Sequence, residues 1–232
     1  MDSSIFVKQL SDFVDKESQL ELLNLQSMAI NCIDLFNSDP YLEEKKIIDE
    51  IFNNKKLTIQ QKGSYLENLA KLLFSRCIAL DNIQITHYDT EIGQIDIILP
   101  IMNDIVFDIL NVNPSSIIIG ECKNYTKNDG KAPKEDIEKV CWRTCKSGAL
   151  SIFISHAYTQ GAVDEISNFN ANKENYIIKH KQSLIVPITI SMIKVVIDNN
   201  FNFGYFLKWC CLNSKIISSI NNYLSPFDDY KI

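Results

Sequence analysis

The chain is predicted to be an α/β protein, and three observations carry that prediction. Leu66, Leu69, Ala70, Leu73 and Cys77 recur at helical spacing across residues 58–76. Directly afterwards the apolar period drops to two: Ile83 and Ile85, then Ile95, Ile97 and Leu99, alternate with polar neighbours. Beyond residue 116 short apolar runs alternate with amphipathic stretches, the sequence form of strands and helices laid down in turn.

In chain order, Leu20, Leu22, Leu23, Leu25, Met28, Ala29 and Ile33 mark a first helical region. Ser38-Asp39-Pro40 reads as a stop and a new N-cap, and Ile47, Ile48, Ile51 and Phe52 give a second, short helix that Asn53-Asn54 ends. A third helix runs from about Thr58 to Arg76. The two alternating stretches form a hairpin whose turn falls near Asp89 to Gly93, with Gln94 assigned to that turn. Ile101 to Asn113 is a candidate further strand, closed by Asn113-Pro114-Ser115-Ser116. Ile117-Ile118-Ile119 opens a buried strand reaching about Lys123, and residues 124–133 are a polar loop.

Lys134 to Lys146 is a helix with Ile137, Val140, Cys141 and Thr144 inward, and Gly148 suits its C-cap. Ala149 to Ser155 is a short strand, Gln160 to Asn170 a helix, Leu184 to Ile190 a strand, and Phe206 to Leu224 a closing helix. The expected organisation is a helical segment over 1–57, a core over 58–200 and a helical extension packed on it over 201–232.

Composition limits the function classes. Of 232 residues, 46% are hydrophobic and 22% charged, ordinary for a folded chain, and seven Gly with six Pro exclude collagen-like or linker sequence. The most apolar stretch, Ser183 to Ile197, is interrupted by Pro187 and Lys194 and is shorter than the roughly 20 apolar residues of a spanning helix. Asp2 stands where a leader would carry positive charge, so the expected location is the cytoplasm. The seven cysteines are odd in number and include no Cys-x-x-Cys pair, which argues for small buried side chains in a reducing compartment.

The residues able to do chemistry cluster in two strands. Glu121 and Lys123 lie two apart and project to one face, Cα atoms about 6.6 Å apart. Ile117 and Ile119 share their parity, so the face turns from apolar to charged at the strand end, where open α/β sheets tend to place sites. Asp96 leaves the face that Ile95 and Ile97 bury. Two carboxylates and a lysine on neighbouring strands suit phosphodiester hydrolysis. Asp96 and Glu121, with the Cys122 carbonyl, offer hard oxygen ligands to Mg²⁺, which polarises the phosphate and activates water, with Mn²⁺ as a substitute. Lys123 is placed to orient that water or to stabilise charge on phosphorus.

Asp, a spacer, then Glu-x-Lys resembles the PD-(D/E)xK nuclease superfamily, and more narrowly its Mrr-like restriction endonucleases. Four pieces carry the resemblance: Lys62-Gly63-Ser64-Tyr65-Leu66-Glu67 opening a helix, Gly93-Gln94-Ile95-Asp96, Glu121-Cys122-Lys123-Asn124-Tyr125, and a helix followed by the strand Ala149 to Ser155. It covers roughly residues 58–200. It implies a restriction-endonuclease-like core with a central mixed sheet flanked by helices. It also implies Asp96, Glu121 and Lys123 as the catalytic set with Glu67 as a further acid, and a Mg²⁺-dependent endonuclease acting on DNA, RNA remaining open, in restriction or defence. Ile95 stands where Pro is usual, a change the Mrr-like group tolerates, and Glu91-Ile92-Gly93-Gln94 replaces a glycine-richer run.

Residues 121–146 hold seven bases against five acids, and Lys127, Lys139 and Arg143 are the candidate phosphate contacts of that strip. A solvated helix face is the competing reading. Tyr125 is read as an ordinary half-buried tyrosine, and His87, His156 and His180 as structural or exposed. The formal net charge is −6, and residues 1–60 carry eleven acids against six bases. So acidic a chain has little positive surface for nonspecific binding. A homodimer or partner subunit is therefore expected to complete the nucleic-acid surface. The rival class is a non-catalytic nucleic-acid-binding or scaffolding subunit.

Overall fold

The computed structural model describes residues 3–24, 39–54, 56–76, 84–90, 93–100, 117–124, 130–147, 150–171 and 183–224. Helix α1 is Ser3–Asn24, α2 is Leu42–Asn53 and α3 is Ile59–Ser75. Strands β1 (Gln84–Thr90) and β2 (Gly93–Pro100) form the hairpin, and β3 is Ile117–Cys122. Then come β4 (Lys131–Ala132), α4 (Lys134–Ser147), β5 (Leu150–Ser155), β6 (Ala157–Tyr158), α5 (Gln160–Ala171) and β7 (Leu184–Thr189). Three helices close the chain: α6 (Ile190–Asp198), α7 (Phe203–Ser214) and α8 (Ile217–Leu224).

The main sheet is mixed, in the order β1-β2-β3-β5-β7. β1, β2 and β3 run antiparallel, whereas β3, β5 and β7 run parallel. Parallel neighbours need a crossover; α4 makes the one between β3 and β5, and α5 lies in the one between β5 and β7. β3 is thereby central, flanked by the hairpin on one side and the parallel strands on the other. Pro187 sits in β7, at the sheet edge among the described strands, where a missing N–H costs no ladder bond.

Local chemistry fixes the start of α3. Thr58 caps α3: its hydroxyl accepts from the Gln61 N–H at 3.2 Å, and the Gln61 side chain accepts from the Thr58 N–H at 2.8 Å. Such a reciprocal box contributes about 1 kcal/mol. Leu66, Leu69, Ala70, Leu73 and Phe74 are buried, and α3 packs over β2 and β3. Helix α4 buries Ile137, Val140, Cys141 and Thr144 and packs on β5, β7 and α5. The Thr144 and Ser151 hydroxyls meet at 2.7 Å inside that interface.

One hydrophobic cluster runs from Phe6 and Leu10 through Tyr41 and Ile48, the sheet, and on to Ile220, Tyr223 and Leu224. It crosses both expected boundaries, near residues 57 and 200. Phe6 stacks edge-on against Trp209 at 5.3 Å, and the Lys208 ammonium bonds the Glu17 carboxylate, fastening α1 to α7. Arg76 bonds buried Glu44 at 2.7 Å and lies 4.1 Å over the Tyr41 ring, fastening α2 to the end of α3.

Several expectations need correction. The second helix is capped by Tyr41, without a side-chain bond, and not by Ser38 or Asp39. The polar loop contains β4, which pairs in parallel with β6. The strand after Leu184 ends at Thr189, whose hydroxyl caps an unexpected helix, α6, through the Met192 N–H at 3.1 Å. The closing helix is two helices, separated at Lys215 and Ile216. Gln94 lies in β2, paired with Asp89, not in the turn. The candidate strand 101–113, Gly148, Cys32, Cys77, Tyr125, Lys127 and His180 fall outside the described residues. Among the described residues no helix is long and apolar enough to cross a membrane.

Candidate active site

The ladder between β2 and β3 runs from Pro100 paired with Ile117 down to Ile97 paired with Gly120. There it stops, while β3 continues beside β5: Cys122 pairs with Ile154, and the Lys123 N–H donates to the Ile154 carbonyl at 2.9 Å. The next N–H facing β2, that of Cys122, donates to Asp96 Oδ2 at 2.9 Å. A carboxylate stands where a backbone carbonyl would extend the ladder. The two strands therefore fork at Asp96 and Glu121, and the fork is buried: Asp96 is 3% exposed and Glu121 5%.

Gly120 permits this close strand approach. A Cβ built there would lie 2.9 Å from Ile97 Cβ, nearer than side chains tolerate.

Lys123 reaches back into the fork. Its Nζ lies 2.7 Å from Glu121 Oε1 and 3.4 Å from Asp96 Oδ2, so the three expected catalytic residues converge on one ammonium group. A second cation arrives from α4: Arg143 donates to Glu121 Oε2 at 2.8 Å. Two buried negative charges thus meet two positive ones.

Burial pushes the Glu121 carboxyl above its ordinary range, and the Asp96 charge adds to this. Lys123 and Arg143 pull the other way. Burial works against the charge on Lys123, but Glu121 and Asp96 outweigh it and hold its pKa above the usual lysine value. Lys123 is therefore a firm cation at neutral pH, suited to stabilising anionic oxygen and not to accepting a proton. The Cys122 thiol is driven well up by burial first and then by Asp96, Glu67 and Glu121, which removes it as a nucleophile.

The remaining expected residues are placed differently. Glu67, on α3, is near enough for its charge to act on the Cys122 thiol. Lys139 is exposed and bonds Asp136 at 2.7 Å on its own helix, away from Glu121. Arg143 does not line an open basic strip with Lys139; its side chain is 11% exposed and turned into the site. Sequence reading missed that inward role. The available signal was its position three residues after buried Val140, on the flank of the apolar stripe.

His156, read as structural or exposed, is buried. It follows β5, is 8% exposed, and its Nε2 lies 2.7 Å from Oδ1 of Asn124, the neighbour of Lys123. Burial, with the Lys62 charge, lowers its pKa to about 4, so the ring is neutral at pH 7. Asn124 Nδ2 and His156 Nδ1 are enclosed without a hydrogen-bond partner. The parallel pairing of β3 with β5 brings these two together just past the strand ends.

Among the described residues no group of three or more His, Cys, Asp and Glu side chains is arranged to hold a metal ion. What the fork offers is two buried carboxylates, with the Cys122 main chain between Glu121 and Lys123. That donor set is all oxygen, fitting a hard cation such as Mg²⁺ that keeps several of its own waters. Comparison of the chain with family models, with curated proteins and with solved structures found no match in any of the three.

Proposed function

We propose that the chain is a metal-dependent nuclease built on a restriction-endonuclease-like core, cutting phosphodiester bonds in DNA, in restriction or defence. The observation that supports this reading most is the convergence of Asp96, Glu121 and Lys123 at a buried strand fork. A central mixed sheet with helices packed on it is the architecture the resemblance implies.

In this reading Asp96 and Glu121 hold a divalent cation, which supplies Lewis-acid polarisation of the phosphate and a more acidic water. Asp96 keeps its oxygen oriented through the Cys122 N–H. Lys123 moves from the carboxylates toward the negative charge that develops on the phosphate oxygens, where a charged donor contributes about two to three powers of ten in rate. Its side chain is 36% exposed, which gives it a path outward to make that exchange. Glu67 contributes negative charge from α3.

Cleavage of linear and supercoiled DNA in Mg²⁺ or Mn²⁺ tests the reading, beside Asp96→Asn, Glu121→Gln and Lys123→Ala. The expected result is metal-dependent cutting lost by about a hundredfold or more in each variant. Cutting retained by all three, folded proteins, would refute it. The rival reading, a nucleic-acid-binding subunit without catalysis, draws on the net charge of −6 and on the mutual neutralisation of the four charged groups at the fork. A calorimetric Mn²⁺ titration separates the two: a defined site supports the nuclease, and none supports the subunit.

A further inference from the structure

We infer that Arg143 is a fixed internal counter-ion: it occupies Glu121 Oε2 permanently, leaves Oε1 as the Glu121 oxygen open to a divalent cation beside Asp96, and so keeps metal affinity low until substrate phosphate adds negative charge. The inference rests on the nuclease reading of the same site and adds to it a control on metal loading.

The two cations on Glu121 are not equivalent. Lys123 bonds Oε1 with a side chain 36% exposed, so its ammonium can swing out and regain hydration or meet substrate. Arg143 holds Oε2 at 2.8 Å with a side chain 11% exposed against a carboxylate side chain 7% exposed. It also springs from a helix whose neighbouring positions, Val140 and Thr144, are packed in the core. Releasing it would leave two buried charges uncompensated, which is costly. An arriving cation therefore displaces Lys123, not Arg143.

Once Lys123 has left, the fork holds two carboxylates and one guanidinium. A divalent ion there meets only one unbalanced negative charge, and it lies close to a positive group in a poorly screened environment. A phosphodiester adds another negative charge, and binding of the two ligands becomes mutually favourable by linkage. Lys139, exposed and tied to Asp136 on its own helix, has no such part.

The test is Mn²⁺ binding, which needs no turnover. Arg143→Gln is expected to bind Mn²⁺ about tenfold more tightly than wild type, and Arg143→Lys, which keeps the charge, to stay within about threefold. Mn²⁺ is expected to raise the melting temperature of Arg143→Gln more than that of wild type, because the ion replaces the missing counter-charge. Equal or weaker Mn²⁺ binding by a folded Arg143→Gln protein overturns the inference, since an arginine that merely shapes Glu121 predicts loss on removal. If Arg143→Gln does not fold, Arg143→His is compared at pH 8 and pH 5.5. Mn²⁺ affinity should then fall more steeply than in wild type as the imidazole gains its charge, and an identical fall overturns the inference. Wild type binding Mn²⁺ with no effect of Arg143 defeats this inference alone. Absence of any Mn²⁺ site in both proteins defeats the nuclease reading with it.

Discussion

Replacing Gly120 with alanine is expected to push β2 and β3 apart beside the two carboxylates. The new Cβ would lie 2.9 Å from Ile97 Cβ, 3.2 Å from its Cδ1 and 3.4 Å from its Cγ1. The last two atoms can swing aside by rotation about χ1. Ile97 Cβ cannot, because it is bonded to the backbone, so relief requires the strands themselves to separate toward a normal carbon–carbon contact of about 3.5–4.0 Å. Overpacking of this kind costs about 1–3 kcal/mol. For a chain of this length each kcal/mol lowers the melting temperature by about 2–4 °C.

The displacement falls next to the Cys122-to-Asp96 hydrogen bond, so Mn²⁺ binding should weaken along with stability. Thermal melting and urea titration read the first effect, and calorimetry the second. Ile97→Gly removes the obstructing atom, so a double-mutant cycle should return a favourable coupling of at least about 1 kcal/mol. A Gly120→Ala protein that melts within about 1 °C of wild type and binds Mn²⁺ unchanged would refute the close-approach argument.

Three further outcomes follow from buried polar groups. His156 titrates near 4 when folded and near 6.5 when unfolded, so the unfolded chain takes up the proton first as pH falls. Its contribution is intact above pH 6.5 and declines by about 3 kcal/mol by pH 4; urea titrations at pH 7 and pH 4.5 should show a smaller loss in His156→Gln, and equal losses would contradict this. Arg76→Ala leaves Glu44 buried without its 2.7 Å partner and frees the carbonyls of Asp39 and Pro40, so a loss of about 3–5 kcal/mol is expected in urea unfolding. Asn170 donates to the Ile185 and Ser214 carbonyls, both at 2.8 Å, and accepts from the Ile185 N–H at 3.0 Å; Asn170→Ala should cost about 3 kcal/mol by the same measurement.

What the sequence made legible was local. Helix α3 is bounded by a capping box only four residues long, and its apolar stripe is complete within it. The placement of Glu121 and Lys123 together follows from the strand period alone. Helix α6 was hidden because Ile190, Met192, Ile193, Val196 and Ile197 continue the apolar run of β7 with only Thr189, Ser191 and Lys194 between them, and all five are buried. The division between α7 and α8 was masked in the same way, since α7 is apolar around most of its circumference. Arg143 with Glu121, and His156 with Asn124, are pairs 22 and 32 residues apart. They come together through the crossover of α4 and the parallel pairing of β3 with β5, and no periodicity within either segment announces them. The fork itself is a property of two strands, whereas each strand alone reads as regular.

The hydrogen bond from the Cys122 N–H to Asp96 gives this chain a particular evolutionary bias. If the chain is the nuclease proposed, position 96 answers to two kinds of selection, one for chemistry and one for the strand pair. In a lineage where selection for cutting lapsed, the first constraint would vanish and the second would persist. Asparagine keeps a carbonyl oxygen to accept that bond, whereas alanine leaves a buried N–H with no acceptor. Decay at this position would therefore run toward asparagine. With asparagine at 96, Arg143 alone balances Glu121, and the part-exposed Lys123 would then be free to drift. On that reading, descendants retired from catalysis would carry an intact-looking strand fork with an amide at 96 and the lysine gone, and that pairing is how they would be told from cutting relatives.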